Sequence, residues 1–301
     1  MEQFFTQLTN GLAVGGIYAL IALGYTMVYG VLKLINFAHG DLFTIGAYLG
    51  LTLLTSLSLT DHIGGAAGVI LLAVMAMGLV GIIGILLDRA AYKPLRTSPR
   101  LSAVVSALGA SIVLSNTIML VYGPSTRVYP QGLLPGQVFY IFGLPVPVMR
   151  FVILGASIAL MIGLYVFIQR TKIGAAIRAA AIDQDAARLM GINVDRVIML
   201  VFFIGPALGG AAGVMVGLYS GQITFTVGWV YGLKAFTAAI LGGIGNIPGA
   251  MVGGLLLGVI EALGATYISM AWKDAIAFFV LILILIVRPT GLLGERVAEK
   301  I

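Results

Sequence analysis

Residues 278–287 read FFVLILILIV, and these ten consecutive apolar residues decide the fold class of the chain. Such a run has no polar face to present to water. In lipid its backbone groups must be hydrogen-bonded within the segment, which makes it a helix. The strands of a membrane β-barrel alternate polar and apolar residues instead, so the run excludes a barrel. Composition extends this to the whole chain: 60% of its 301 residues are hydrophobic and 9% are charged, against about 25% charged in soluble domains. We therefore predict an all-α, polytopic transmembrane helical bundle.

Apolar segments of roughly spanning length recur along the chain and set the number of crossings. Nine can be marked, at residues 8–30, 42–59, 63–87, 101–122, 149–168, 197–218, 229–244, 249–270 and 274–287. One crossing takes about 20 residues, and the seventh and ninth segments are shorter than this. We therefore predict about eight to nine spanning helices within a single transmembrane domain of residues 1–301.

Basic residues predict the orientation of these helices. With nine alternating spans, most of the 17 Lys and Arg residues fall on one side, and loops rich in Lys and Arg stay in the cytoplasm. This places the N-terminus outside a bacterial inner membrane and the C-terminus, with Arg296 and Lys300, inside. Residues 169–196 become a cytoplasmic loop. Residues 123–148 become a periplasmic loop, whose five prolines predict extended backbone. The net charge of +6 then reflects topology, and we expect membrane lipid but no nucleic acid as a partner.

Motifs for catalysis and for metal binding are missing from the sequence. It has no G-x-x-x-x-G-K-[ST] phosphate-binding loop, the motif with which many ATPases hold nucleotide. It has no cysteine and only two histidines, too few for a metal site rich in these ligands. The motifs of intramembrane serine and aspartyl proteases are also missing. We therefore expect no enzyme, no catalytic residue, no metal and no cofactor on this chain. Energy for any work that the chain does must come from another polypeptide or from an ion gradient.

Glycine is unusually frequent, with 41 residues, and several recur at every fourth position. This spacing places small residues on one stripe of a helix, where a neighbouring backbone can approach closely. Such stripes can serve dense helix packing alone, or they can form surfaces on which helices slide during transport. The two predicted stripes are Gly205, Gly209, Gly213, Gly217 and Gly221, and then Gly245, Gly249 and Gly253.

Lys234 and Glu261 are the ionisable residues that lie clearly within predicted spans. Charges inside a membrane are costly and mark functional sites by default. At a rise of about 1.5 Å per residue, the two lie at compatible depths below the outer surface. We therefore predict that they face each other or a shared polar cavity, either as a structural ion pair or as part of the transport pathway.

A second polar group joins the first two spans. Residues 34–41 read LINFAHGD, so Asn36, His39 and Asp41 lie near a membrane boundary. They can form a turn, with Asn36 at a helix start, Gly40 in the turn and Asp41 as the N-cap of the second span. Alternatively the segment dips into the membrane, where these residues line or gate the pathway.

The cytoplasmic loop between the fifth and sixth spans carries a helix-forming segment. Asp185, Ala186 and Ala187 are followed by three residues and then Gly191. This pattern resembles the E-A-A signature of ABC importer permeases, with Asp in place of Glu. The resemblance implies a coupling helix that docks on an ATPase subunit. The chemistry fits, because small alanines allow close docking, the acid can cap or pair, and glycine ends a helix.

Three further segments resemble the LivH-type permeases of the branched-chain (hydrophobic) amino acid ABC importers, and the likeness extends over nearly the whole chain. They are residues 24–50 (GYTMVYGVLKLINFAHGDLFTIGAYLG), 233–249 (LKAFTAAILGGIGNIPG) and 286–294 (IVRPTGLLG). The resemblance implies the permease subunit of an ATP-driven importer for leucine, isoleucine and valine. It also implies a homologous sister permease, two cytoplasmic ATPase subunits that bind ATP and Mg, and a periplasmic substrate-binding protein as partners.

Two alternatives stay open. Permeases for urea and short amides resemble the same family. A gradient-driven secondary transporter would use intramembrane acids to bind its coupling ions, and Glu261 is the acid that lies clearly inside a predicted span. The cytoplasmic D-A-A-x-x-x-G pattern favours the ATP-driven class.

Overall fold

The computed structural model describes residues 2–56, 65–96, 98–130, 138–141 and 144–294. This part of the chain is built mainly from eleven α-helices. They are α1 (Glu2–Leu32), α2 (His39–Ser56), α3 (Gly65–Leu87), α4 (Arg100–Tyr122), α5 (Val148–Arg170), α6 (Lys172–Ile182), α7 (Gln184–Leu189), α8 (Val194–Ser220), α9 (Val227–Gly242), α10 (Ile247–Tyr267) and α11 (Lys273–Val287). A π-helical turn (Asp88–Tyr92) and a 3-10 turn (Lys93–Leu95) follow α3, and another 3-10 turn (Met270–Trp272) precedes α11.

Nine of the described helices match the nine predicted apolar segments, which confirms the all-α bundle. Seven helical segments are long and apolar enough to cross a membrane. Of the two others, α2 has 18 residues with Asp41 in its first turn, and α9 has 16 residues. The predicted eight to nine spans are consistent with this arrangement. The following predicted parts lie outside the described residues: 57–59 and 63–64 of the second and third segments, 131–137 and 142–143 of the periplasmic loop, and Arg296 and Lys300.

Helices α1 and α8 form the centre of the bundle. Both are buried along most of their length, whereas α4 and α11 are mostly exposed. α1 packs against α10, α8, α5 and α9, and α8 packs also against α3 and α2. A helix that is apolar on all sides is buried in this way. The outer helices expose large apolar side chains such as Leu120 and Phe279, which suits contact with lipid.

Glycines bring α1 and α10 into backbone contact. A methyl group added at Gly254 would collide with the Cα of Ala19, and one added at Gly258 would collide with Gly15. Apolar side chains give helices no drive to associate in lipid, so close backbone packing supplies much of the attraction. This contact was not predicted, although its members recur at four-residue spacing.

The predicted stripe on α8 packs against α1 and α2. Gly205 lies against Gly24, and Gly213 lies against the backbone of Phe43 and Ala47. Two members of the predicted stripes are not helical, which corrects the prediction. Gly221 is the C-cap that ends α8, with φ +69°. Gly245 lies in the turn before α10, with φ +95°, because a left-handed backbone at these turns suits glycine.

The remaining members of both stripes also mark close contacts. Gly209 lies beside the ring of His39, and Gly217 lies under the ring of Tyr129. Gly249 and Gly253 let α10 approach the end of α9 at Gly242. Dense packing therefore explains these positions, and sliding of the helices stays a prediction.

Short strands cover the end of the bundle near the N-terminus of α1. β1 (Arg127–Val128) pairs with β4 (Gln222–Ile223), and β2 (Val138–Ile141) forms a hairpin with β3 (Leu144–Pro147). The described part of the loop before α5 is therefore extended, as its prolines predicted. Tyr129 follows β1, and its fully buried side chain contacts α2 and α8. Burial raises the pKa of the Tyr129 hydroxyl above its ordinary value.

Candidate functional site

Lys234 on α9 and Glu261 on α10 form an ion pair inside the bundle, and the predicted contact is confirmed. The Lys234 Nζ lies 2.6 Å from Glu261 Oε1, and the two side chains are 6% and 10% exposed. The turn between the helices fixes their register: Asn246 caps α10 by accepting a hydrogen bond from the Gly249 backbone N–H at 2.8 Å. We name Lys234 and Glu261 the inner pair.

Tyr18 on α1 completes the coordination of the inner pair. Its hydroxyl donates to Glu261 Oε2 at 2.8 Å, so both carboxylate oxygens of Glu261 are engaged. The Lys234 Nζ also lies 5.9 Å from the centroid of the Tyr18 ring, within the range of a cation–π contact. Hydrogen bonds to ionised groups are roughly twice as strong as neutral ones, so Tyr18 holds the acid in place.

Two half-exposed charges reach the inner pair from the start of α11. Asp274 Oδ1 lies 2.7 Å from Lys234 Nζ, and the Asp274 side chain is 51% exposed. Lys273 Nζ lies 3.7 Å from Glu261 Oε1, and the Lys273 side chain is 34% exposed. We name Lys273 and Asp274 the mouth residues. Two acids and two lysines therefore meet at one point, and their formal charges cancel.

A cavity of about 420 Å³ adjoins this group of charges. It extends from the inner pair towards the N-terminal end of α1 and the C-terminal ends of α8 and α10. Its polar lining includes Gln7 and Asn10, and the Tyr219 hydroxyl donates a hydrogen bond to Asn10 Oδ1. In the predicted orientation, this is the outer side of the membrane. The cavity thus brings polar groups to membrane depth, where they can hold a polar or charged solute.

The second predicted group does not come together as one site. Asn36 lies before α2, and its Oδ1 accepts hydrogen bonds from the Ala38 backbone N–H at 3.1 Å and from the Tyr92 hydroxyl at 2.7 Å. His39 starts α2 and is completely buried, with its ring 4.7 Å from that of Tyr25. Asp41 accepts from the Ser111 hydroxyl at 2.5 Å, beside a cavity of about 150 Å³.

The predicted turn at this group needs a correction. α2 already begins at His39, so Asp41 lies in its first turn and is not the N-cap. Gly40 is helical rather than a turn residue, and a methyl group there would collide with the Gly228 carbonyl of α9. The position therefore serves the contact between α2 and α9. A role in the pathway stays a prediction for Asn36, His39 and Asp41.

The predicted coupling segment is two short helices. Asp183 ends α6 and caps α7, because its Oδ1 accepts from the backbone N–H groups of Asp185 and Ala186 at 2.9 and 3.0 Å. Asp185 pairs instead with Arg188 on the surface, at 2.9 Å. The coupling helix that the resemblance implied is therefore divided at Asp183 into α6 and α7.

The glycine of the coupling segment does end a helix, as predicted. Gly191 has φ +82°, and the Ile192 N–H donates to the Ala187 carbonyl at 3.0 Å across it. This is the Schellman type of helix end. Ala187 is buried, and the side chain of Gln184 donates to the Val31 carbonyl at 2.8 Å, so α7 is fastened to the end of α1.

A third ionic group was not predicted. Arg96 donates to both oxygens of Asp88, at 2.7 and 2.8 Å, and to Asp195 Oδ1 at 2.7 Å. Asp88 is 2% exposed and Asp195 is 56% exposed. The group joins the end of α3 to the start of α8. Arg96 and Asp195 are 99 residues apart in the chain, so the sequence alone does not indicate their contact. For the mouth residues a signal did exist, since Lys273 and Asp274 are adjacent opposite charges before an apolar run.

Comparison with known proteins places the chain in a family. The family model described as branched-chain amino acid transport system / permease component matches residues 7–285. The high-affinity branched-chain amino acid transport system permease protein BraD of Pseudomonas aeruginosa is 43% identical, over 99% of this chain and 98% of that protein. Its counterpart LivH of Escherichia coli (strain K12) is 44% identical, again over 99% and 98%. The ribose import permease protein RbsC of the same organism is 26% identical, over 86% and 78%. The chain is a multi-pass membrane protein and belongs to the family of permease components of branched-chain amino acid transport systems.

Proposed function

We propose that the chain is the membrane-spanning permease subunit of an ATP-driven importer that carries leucine, isoleucine and valine across the inner membrane. The observation that carries this proposal is the identity of 43–44%, over 99% of the chain, to BraD and LivH. Both are named as permeases of high-affinity branched-chain amino acid systems. The ribose permease is similar over less of the chain and at lower identity, so the comparison favours amino acids as the solute.

ATP hydrolysis takes place on partner chains in this proposal. Two ATPase subunits, with ATP and Mg, bind the predicted cytoplasmic face at α6 and α7. Ile182, Leu189 and Met190 support this, because they are apolar and between 82% and 89% exposed. Apolar side chains presented on a short, well-capped helix suit a groove in a second protein.

Movement of the ATPases would pass into the bundle through α7. The hydrogen bond from Gln184 to the Val31 carbonyl ties this helix to α1, which packs against α10 beside the inner pair. Domain closure below the membrane can then alter the spacing of helices around the 420 Å³ cavity. The bundle would open in turn to each side, as transporters that work by rocking of helix groups do.

The remaining partners and the orientation belong to the same proposal. A sister permease completes the pore, and a periplasmic binding protein delivers the solute to the outer face. The β2–β3 hairpin presents Phe139 and Tyr140 there, which are 58% and 75% exposed. The N-terminus lies outside and the C-terminus lies in the cytoplasm.

Uptake by the assembled importer tests the proposal. The chain is produced with its sister permease and ATPases, reconstituted in vesicles, and supplied with binding protein and radiolabelled leucine. We expect accumulation only with ATP. The matched control carries a substitution in the ATPase that abolishes hydrolysis. Leucine uptake driven by an ion gradient without ATP would contradict the proposal and support a secondary transporter. Uptake of urea or acetamide without uptake of leucine would assign the chain to the short-amide permeases.

A further inference from the structure

The mouth residues give the inner pair an unusual set of contacts. Lys234 is met by a half-exposed carboxylate, that of Asp274, at 2.7 Å. Glu261 is approached by a half-exposed ammonium group, that of Lys273, at 3.7 Å. The two groups come from adjacent residues, so they present one positive and one negative charge from a single short stretch of chain. A free amino acid presents the same two charges from a single carbon atom.

We infer that Lys234 and Glu261 bind the α-carboxylate and the α-ammonium group of an amino acid during its passage through the permease. Asp274 and Lys273 act as tethered competitors that the amino acid displaces from the inner pair. This inference rests on the proposed function, and it places a binding site for the transported amino acid on this chain rather than on its partners.

Charge balance selects this class of ligand. The inner pair and the mouth residues sum to zero formal charge, and a zwitterion that displaces the mouth residues leaves the buried charges paired. A ligand with only a carboxylate or only an ammonium group can replace only one of the two mouth contacts, whereas a zwitterion replaces both. Each contact with an ionised group adds a strong hydrogen bond, so we expect a zwitterion to bind more tightly than a ligand with one charge.

The cavity offers room and an apolar wall for the rest of the ligand. Its volume of about 420 Å³ falls within the range of about 300 to 1,000 Å³ that is usual for small-molecule sites. Val14, Val230, Ala262 and Ala265 line it beside the inner pair, which suits a branched aliphatic side chain. Tyr18 is a positioning residue here, since its hydroxyl fixes the second oxygen of Glu261 at 2.8 Å.

Equilibrium binding of radiolabelled L-leucine to the purified full-length chain in lipid nanodiscs tests the inference. Leucinamide lacks the carboxylate, and 4-methylpentanoate lacks the ammonium group. We expect leucine to bind and each analogue to compete about tenfold less well or worse, the loss expected for a missing hydrogen bond to a charged group. Equal competition by all three compounds would overturn the inference, and so would a failure of leucine to bind.

Substitutions in the inner pair and substitutions in the mouth residues should change leucine affinity in opposite directions. K234M and E261Q should lose leucine binding. The double variant K273Q/D274N should bind leucine more tightly, by about tenfold if the mouth residues occupy the inner pair about nine-tenths of the time. A purely structural network predicts no gain in this double variant, and unchanged or weaker binding there would overturn the inference.

Two controls keep the test independent of folding and of the proposed function. D195N breaks the exposed Arg96–Asp195 contact far from the cavity and should leave leucine affinity unchanged. The double variant K234M/E261L removes the inner pair without leaving a lone charge, so it should fold and fail to bind leucine; leucine binding to it would overturn the inference. ATP-driven leucine uptake by an importer that carries K234M/E261L would overturn the inference and leave the proposed function standing. An absence of leucine uptake by the unaltered importer would instead count against the proposed function.

Discussion

Two ionic networks lie at opposite ends of α8 and differ in the geometry and in the exposure of their ion pairs. Arg96 is held by Asp88 and Asp195 at three distances of 2.7 to 2.8 Å, where α8 begins. The inner pair lies near the other end of α8, where the Tyr219 side chain lines the same cavity. In the first network one guanidinium nitrogen, Nη2, donates to both oxygens of Asp88, and the other, Nη1, donates to Asp195. The second joins lysines to carboxylates around a cavity, and its mouth residues are 34% and 51% exposed.

This difference separates a structural network from an exchangeable one. The Arg96 guanidinium already donates to two carboxylates, so it has little to gain from a new partner. An ammonium group is a point charge with no fixed plane, so Lys234 can exchange one carboxylate for another without loss of geometry. We therefore assign fastening of α3 to α8 to the Arg96 network and solute contact to the inner pair.

Removing the buried acid of the Arg96 network should have the largest effect on stability. In D88N the guanidinium loses its buried counter-charge, and taking one partner from a buried pair costs about 3 kcal/mol or more. Thermal unfolding of the full chain in detergent, followed by circular dichroism, measures the change.

D195N is the matched control for this substitution. It removes the exposed partner of the same arginine, and exposed pairs contribute about 1 kcal/mol or less. Equal losses of stability in D88N and D195N would contradict the view that the Arg96 network depends on the buried carboxylate of Asp88.

Y18F should have the next largest effect, and at the other network. The substitution removes the hydroxyl that donates to Glu261 Oε2, and a hydrogen bond to a charged group contributes about 1.5 to 3 kcal/mol. The same unfolding measurement reports it, and leucine affinity should fall together with stability.

Y140F serves as the control for the loss of a hydroxyl, because Tyr140 is 75% exposed. It should leave both quantities unchanged. A stable Y18F protein with full leucine affinity would show that Tyr18 does not position the acid.

G191V should have a smaller effect on stability and a clear effect on coupling. The left-handed backbone at Gly191, with φ +82°, costs a residue with a side chain about 1 to 2 kcal/mol. We expect α7 to lose its end and uptake per ATP hydrolysed to fall, while leucine binding to the chain stays normal. Uptake and ATP hydrolysis are measured together in vesicles.

The control for coupling is G163A on α5, where a methyl group meets open space. It should leave the ratio of uptake to hydrolysis unchanged. Normal coupling in G191V and also in A187F would contradict the assignment of α7 as the contact with the ATPases.

The features that could be predicted from the sequence are those that follow from local physical effects. Lipid imposes helices on apolar runs, so the nine segments could be marked. The cost of intramembrane charge singled out Lys234 and Glu261, and their depth along the helices paired them. The left-handed preference of glycine placed the end of α7 at Gly191.

The other contacts depend on which helices become neighbours, and the residue pattern of a single sequence does not predict this. Tyr18 reaches Glu261 across 243 residues, and nothing in the apolar run around it marks its hydroxyl as a partner. Arg96 and Asp195 lie near predicted membrane boundaries, where charges usually set topology or belong to loops, so the sequence does not indicate that they pair. The D-A-A pattern begins at Asp185, so it does not mark Asp183, two residues earlier, as the N-cap of α7.

Chemical labelling of Lys273 tests the distinction between the two networks most directly. The full chain is acetylated briefly with an N-hydroxysuccinimide ester, in the presence and in the absence of leucine. Modification of each lysine is then quantified by mass spectrometry, and the acetylation of Lys273 is divided by that of exposed Lys93 on the opposite face, which corrects for the reagent that leucine consumes. If leucine displaces the mouth residues, it should increase this ratio. Unchanged or reduced acetylation of Lys273 with leucine would show that the mouth residues stay in place, and would contradict the exchangeable network.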